Sequence, residues 1–414
     1  MPEHEQPLGL IDTWKSLDRR QRAAFTASVL GWALDAFDFF LMVFILRAVA
    51  AEFGTDVKSV ALGITLTLAM RPLGALVFGM LADKYGRRPV LMVDILLFSV
   101  LELASAFAPT LVTLLILRAA FGFAMGGEWG IGSALTMETI PARARGVASG
   151  FIQQGYAIGY LLAAVAYGLL FERIGWRGMF MVGVLPALLV LYIRRNVEES
   201  PVWQEMREKP RQPLGAVLRK RAGLFAYAVV LMTAFNFFSH GTQDLYPTML
   251  QAQRGLSTHQ VSLITIIANI GAIIGGVTFG MLSQRIGRRR AIIGAALLAL
   301  PIIYLWAFST TVVLIALGAF LMMISVQGAW GVIPVHLNEL SPGEVRGTFP
   351  GFVYQLGNLL ASVNATWQAA FAESHGGDYA FALAVVAAGA AVAIAILTAV
   401  GPEAHGAALG GETA

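Results

Sequence analysis

The chain has 414 residues, 57% of them hydrophobic and 13% charged, and its mean hydropathy is +0.69. A soluble domain carries about a quarter charged residues, so this composition excludes one and describes a protein that crosses a membrane many times. With no cysteine and six histidines at no ligand spacing, disulfides, thiolate chemistry and a resident metal are excluded; the net charge of +4 sits in short loops and reads as a topology signal, with no nucleic-acid surface.

Residues 1–22 form a polar, charged tail without an apolar core followed by a small-residue cleavage site, so no cleaved signal peptide is expected. A bilayer core of roughly 30 Å requires about 20 apolar residues per helix. Twelve stretches qualify: 23–50, 57–82, 89–107, 111–137, 144–170, 177–195, 222–250, 258–283, 290–308, 311–337, 346–372 and 378–400. The expected fold is an all-α membrane protein with twelve transmembrane helices in two six-helix halves, 23–195 and 222–400. A polar linker at 196–221 joins them, and a tail at 401–414, glycine-rich near 405–411, is expected to be disordered. Most Lys and Arg lie in the first tail, the linker and alternate loops, which puts both termini in the cytoplasm.

The chain matches itself at an offset of 201. Gly79-Met-Leu-Ala-Asp-Lys-Tyr-Gly-Arg-Arg88 aligns with Gly280-Met-Leu-Ser-Gln-Arg-Ile-Gly-Arg-Arg289. In the same register Glu138, Pro141, Arg145 and Gly146 meet Glu339, Pro342, Arg346 and Gly347, and Trp129 and Gln154 meet Trp330 and Gln355. Parallel halves with a site at the midplane between them are the plan of alternating-access carriers.

Ionisable side chains inside spans are functional candidates, because a charge in hydrocarbon costs roughly 2.5–3.5 kcal/mol even on insertion scales. The span at 222–250 holds two, His240 and Asp244, and on a helix Asn236, His240, Gln243 and Asp244 share a face. Histidine titrates near physiological pH, so the pair can share a proton; a lone intrahelical histidine would read as packing. Gly241 allows a close neighbour, and Pro247 is expected to kink the helix beyond the cluster. Asp35 and Asp38, three apart in the first span, lie about 18–22 Å along a helix, near the midplane, where the repeat places Asn236 and Ser239. They carry a proton or form a permanent ion pair. Arg71, mid-span, either holds a substrate carboxylate by two parallel hydrogen bonds or neutralises Asp35 or Asp38. Gln154 and Gln355 face the same midplane as carboxylate donors and hydroxyl acceptors, or as helix glue, with Tyr354 and Asn358 as weaker additions. The runs Gly122-x-x-x-Gly126 and Gly271-x-x-x-Gly275 indicate close helix packing alone.

The loop at 79–88 resembles the signature loop of the major facilitator superfamily, with its degenerate copy at 280–289. Within that superfamily, Asn-x-x-Ser-His-x-Thr-Gln-Asp-x-x-x-Thr at 236–248 resembles the sialate:proton symporter family in its lactate and monocarboxylate permease branch. Sialate members tend to carry two extra central spans, whereas this chain has only a short link, which favours a monocarboxylate. The resemblance implies that Arg71 is the substrate arginine, that Asp38 carries the proton and that Arg118 is its partner, with a structural bridge from Arg118 to Glu102 or Glu128 as the other reading. It also implies a conformational latch from Gly79, Asp83, Gly86, Arg87, Arg88, Glu138, Arg145, Glu339 and Arg346, in which Asp83 sits at a helix amino terminus of the other half.

The expected activity is proton-coupled symport of a small monocarboxylate, L-lactate, pyruvate or similar, across the cell membrane by a monomer. No cofactor is expected beyond the coupling ion H+. A larger organic acid (sialate, shikimate-like, aromatic or dicarboxylate) is the alternative. An enzyme would need a nucleophile with its base, or a metal cluster, and the sequence offers neither constellation.

Overall fold

The computed structural model describes residues 9–208 and 214–409, and among them every regular element is helical. In the first half α1 (Leu10–Ser16) precedes α2 (Arg19–Glu52), α3 (Val57–Tyr85), α4 (Arg87–Ala106), α5 (Leu111–Met125), α6 (Glu128–Thr139), α7 (Arg145–Val182) and α8 (Ala187–Asn196). Two short helices, α9 (Pro201–Met206) and α10 (Leu214–Lys220), lie in the linker. The second half contains α11 (Ala222–Gln243), α12 (Tyr246–Ala252), α13 (Thr258–Ile286), α14 (Arg288–Phe308), α15 (Val312–Trp330), α16 (Ile333–Leu340), α17 (Phe349–Ala361), α18 (Asn364–Ser374) and α19 (Tyr379–Val400).

Ten helical stretches among the described residues are long and apolar enough to cross a membrane. The other two expected spans are interrupted. The chain between 177 and 195 breaks between α7 and α8, and that between 346 and 372 breaks between α17 and α18. The expected span 222–250 also divides: α11 stops at Gln243, and Pro247 stands in the first turn of α12, where its missing N–H costs no hydrogen bond. Polar caps start helices at the apolar boundary. Asp18 and Gln21 form a reciprocal capping box on α2, and Ser257 and Gln260 form another on α13.

The repeat holds in backbone conformation as well as in letters. Glycines with positive φ recur at the offset of 201: Gly54 and Gly255 (61° and 64°), Gly86 and Gly287 (109° and 93°), Gly175 and Gly376 (63° and 72°). Glycine enters this region without a Cβ clash, so each pair turns the chain at the same point of its half. The halves meet along α7 with α13 and along α3 with α17. The first crossing is backbone against backbone: a Cβ on Gly150 would lie 2.7 Å from the Gly276 carbonyl oxygen, and one on Gly280 2.7 Å from that of Gly146. Leu96, Val112, Ile116, Leu162 and Val313 point outward, exposed, as lipid-facing side chains do.

The tail expected to be disordered packs as far as residue 409; residues 410 and 411 lie outside the described residues. Leu409 is buried in the core, the Arg145 guanidinium donates to the Ala407 carbonyl (2.8 Å), and that of Arg346 donates to the Leu409 carbonyl (2.9 Å). One apolar anchor and two arginine donors from opposite halves outweigh the flexibility of the glycines.

Candidate functional site

A cavity of about 480 Å³ lies between the halves. The first half contributes Trp32, Phe39, Phe40, Arg71, Gln153, Gln154, Tyr156 and Tyr160. The second contributes Asn236, Ser239, His240, Thr242, Gln243, Asp244, Thr265, Asn269, Trp306, Trp330, Tyr354 and Asn358. The cavity extends toward the last turn of α11 and the far end of α14, away from the end of the molecule that carries residues 9 and 409.

Asn236, His240 and Gln243 of α11 and Asp244, which caps its end, all reach this cavity. His240 Nδ1 lies 3.2 Å from Asp244 Oδ1, one turn on, and its Nε2 lies 3.1 Å from Asn358 Oδ1 on α17. Asn358 therefore fixes the ring from the opposite side. Gln243 donates to the Ser239 carbonyl and hydroxyl (3.1 and 2.8 Å), and Asn236 donates to the Met232 carbonyl (2.8 Å).

Arg71 is buried at the opposite wall. Its guanidinium sits 3.4 Å from Asp35 Oδ2 and over the Phe39 ring, 5.4 Å from the centroid. Asp35 is fully buried and lies behind the arginine, outside the cavity lining. Arg118 pairs with Glu102 at 2.7 Å and donates to the Ser105 hydroxyl at 2.6 Å, so the partner expected for it, Asp38, is corrected to Glu102. The reason is local: α4 brings Glu102 and Ser105 to one face, and Phe121 and Phe180 clamp the guanidinium at 4.3 and 4.9 Å. Asp38 is buried nearby with neither oxygen hydrogen-bonded.

Two further buried carboxylates, Asp94 and Glu128, belong to this interior, and neither oxygen of either is hydrogen-bonded. Sequence reasoning did not single out Asp94, although the signal existed: it is an ionisable residue inside the expected span 89–107.

Of the two glutamines, Gln154 lines the cavity and packs against Gly276, whereas Gln355 is buried outside the lining, its Oε1 without a hydrogen bond. Tyr354 replaces it at the surface. Its ring contacts Trp129 (4.8 Å), Trp330 (5.4 Å) and Trp32 (6.5 Å), making an aromatic floor on the seam in which Trp129 and Trp330 are repeat mates.

The end beneath that floor is closed by charge. Arg87 holds Glu138 through two hydrogen bonds (2.9 and 3.1 Å), and Arg288 holds Glu339 the same way (both 2.9 Å). Each acid is also approached from the other half, Glu138 by Arg346 at 3.7 Å and Glu339 by Arg145 at 4.0 Å. Asp83 accepts from the Gly347 and Thr348 amides (2.7 and 3.0 Å) and the Thr348 hydroxyl (2.6 Å), where α17 begins. Its repeat mate Gln284 accepts from the Gly146 amide at 3.0 Å and donates to the Ala142 carbonyl at 3.0 Å. Gly79 packs against Thr348, and Arg88 donates to the Arg194 carbonyl. Gly86 leaves room for Glu199, which accepts from the Arg87 and Arg88 amides. Burial pushes the Glu199 carboxyl above its ordinary range, against the opposing pull of the amides of Ser200, Arg87 and Arg88.

Two family descriptions match the chain: Major Facilitator Superfamily over residues 28–246, and Sugar (and other) transporter over residues 214–404. The sialic acid transporter NanX of Escherichia coli is 32% identical over 86% of this chain and 89% of its own length. A probable 4-methylmuconolactone transporter of Cupriavidus pinatubonensis is 33% identical over 84% of this chain and 83% of its own. The proton:xylose symporter XylE bound to 6-bromo-6-deoxy-D-glucose superposes with a TM-score of 0.81, covering 94% of this chain and 98% of that one at 20% identity, a likeness of fold.

Proposed function

This chain belongs to the major facilitator superfamily, whose members are transporters and not enzymes, and we propose that it carries an organic acid larger than lactate together with a proton. In this reading the chain crosses the cell membrane twelve times as a monomer with both termini in the cytoplasm, which is supported by the ten long apolar stretches, the two shorter interrupted ones and the basic alternate loops, and the cavity then opens outward. The observation that carries the reading is the pairing of one buried arginine, Arg71, with a cavity of about 480 Å³ walled by aromatic rings.

That volume is within the range of small-molecule sites, about 300–1,000 Å³. An acid of lactate's size would leave most of the Trp32, Phe40, Tyr156, Tyr160, Trp330 and Tyr354 surface untouched. A flat, unsaturated or ring-bearing acid covers it. Two of the similar proteins are described as transporting sialic acid and 4-methylmuconolactone, which supports the larger class. The small-monocarboxylate reading keeps the support of the motif at 236–248 and is second.

In the proposed cycle the substrate carboxylate takes the Arg71 guanidinium from Asp35, and Asp35, left buried without its partner, takes a proton. Loaded carrier thus holds one anion and one proton. Asp38 and the His240–Asp244 pair are further proton positions. The closed end then opens when the Asp83 contacts at α17 and the crossed arginine–glutamate contacts release, as the alternation of two states requires. The test is uptake by purified protein in liposomes, acid outside, of a labelled ring-bearing acid and of labelled L-lactate. Gradient-dependent uptake of the ring-bearing acid, lost in Arg71→Ala, is expected; preferential uptake of lactate would return the small-monocarboxylate reading to first place, and uptake indifferent to Arg71→Ala would remove the arginine from the site.

A further inference from the structure

The cavity is polarised in its hydrogen bonding. On the wall made by α11 and α13, side-chain donors turn back to the helices that carry them. Asn236 donates to the Met232 carbonyl (2.8 Å), Thr242 to that of Phe238 (2.8 Å), Thr265 to that of Val261 (2.9 Å) and Asn269 to that of Thr265 (2.9 Å). Gln243 uses its amino group twice, on the Ser239 carbonyl and hydroxyl. These bonds also fix the amide orientation, because a side-chain carbonyl oxygen in the same place would face a backbone acceptor. Lone pairs are therefore most of what this wall offers a bound molecule, and Asp244 adds a carboxylate to it; the donors left are the Ser239 hydroxyl, which accepts from Gln243, and the second amino hydrogens of Asn236 and Asn269. His240 does not reverse the pattern, since both its ring nitrogens are engaged, by Asp244 and Asn358.

Buried donor atoms with no partner at all lie elsewhere. The Arg71 Nε, Trp32 Nε1 and Trp330 Nε1 atoms, on residues that line the cavity, are buried without hydrogen-bond partners. They belong to the first half and to the aromatic floor. A buried polar group without a partner is costly, and a carboxylate, an acceptor on every lone pair, matches this side best. An acceptor-only group on the opposite side would face mostly acceptors.

We infer that the substrate is an organic acid whose end remote from the carboxylate carries hydroxyl or N–H donors directed at the α11–α13 wall. This rests on the carboxylate reading of Arg71. It narrows the class toward acids with hydrogen-bond donors at the far end, in preference to those whose far end is hydrocarbon, ether or ester.

The experiment is direct binding to the purified full chain of three acids: 4-(hydroxymethyl)benzoate, its isostere 4-ethylbenzoate, and 4-(methoxymethyl)benzoate, which is one methyl group longer and keeps the oxygen without the donor. Sites that hydrogen-bond a substrate hydroxyl reject analogues lacking it strongly, so the hydroxymethyl acid should bind at least about tenfold more tightly than either of the others. The double variant Thr265→Val, Asn269→Leu should shrink that preference to about twofold or less. Equal affinities of the three acids, lost together in Arg71→Ala, would overturn the donor inference and leave the carboxylate reading standing. A preference retained in full by the double variant would remove it from this wall. Absence of binding by all three would overturn both the ring-bearing class and the inference built on it.

Discussion

The two halves repeat one backbone and differ in where they put charge. The interior of the first half holds Asp35, Asp38, Asp94, Glu102 and Glu128 with Arg71 and Arg118, all buried. At the offset of 201 their counterparts are Asn236, Ser239, Ala295, Ile303, Ala329, Ala272 and Ala319, none of them ionisable. The second half places its polar groups on the cavity surface: His240, Gln243, Asp244 and Asn269 stand where the first half has Phe39, Met42, Val43 and Leu68. At the closed end the halves agree again, with Arg87–Glu138 mirrored by Arg288–Glu339. Two symmetric halves can rock about a shared seam, and in the proposed cycle the buried charge network of one of them ties that motion to protonation. That proposal gives ion chemistry to the first half and recognition of the substrate's body to the second.

The largest effect should come from breaking a buried pair inside the charged half. Glu102→Gln leaves Arg118 buried without its anion and should destabilise the protein by about 3–5 kcal/mol, while the double variant Glu102→Gln, Arg118→Met should recover most of that loss; thermal unfolding in detergent measures both. A single variant as stable as the parent would mean that the network is not structural. Next is Arg71: Arg71→Ala should weaken binding of an organic acid roughly 100-fold, about 2.7 kcal/mol for a charge-assisted pair, and Arg71→Lys should not restore it, because lysine lacks the planar fork. Moving a carboxylate to the matching place in the second half, Asn236→Asp, sharpens the comparison further. It should weaken acid binding about tenfold by repulsion in a cavity where Ala272 supplies no balancing arginine, without creating a new proton requirement in uptake. Asp35→Asn should do the reverse, leaving binding within about threefold while uptake no longer responds to the pH gradient.

The smallest effect concerns the region where the halves agree. Ending the chain after Val400 removes the carbonyls that Arg145 and Arg346 hold, and the buried Leu409. The closed end should then open more often, by about fivefold or roughly 1 kcal/mol. Because the chain has no cysteine, Ala148→Cys placed at that end reports opening directly through its rate of maleimide labelling, and an unchanged rate would show that the tail does not restrain it.

Much of this was legible in the letters. The repeat at 201, the superfamily loop at 79–88 and the polar face of α11 are local patterns, and a helix converts spacing of three and four residues into a shared face whatever surrounds it. The partners of the charges were not legible. Arg118 lies within reach of more than one acid, and only the packing of α4 beside α5 turns it to Glu102 and leaves Asp38 without a hydrogen bond. Asp94 carried the same intramembrane signal as Asp35 but no motif to draw attention to it. Gln355, facing the midplane by symmetry, is buried behind Tyr354 because the aromatic floor occupies the surface there.

What the sequence by itself determined is the membrane setting, the two-half plan, the family and the identity of most residues that meet in the cavity, because apolar length, helical period and repeat register are one-dimensional properties. What only the tertiary structure decided is which buried charge faces which, how large the cavity is, and which atom each amide turns toward the substrate. These depend on distances between helices far apart in the chain, where a shift of an ångström exchanges one partner for another.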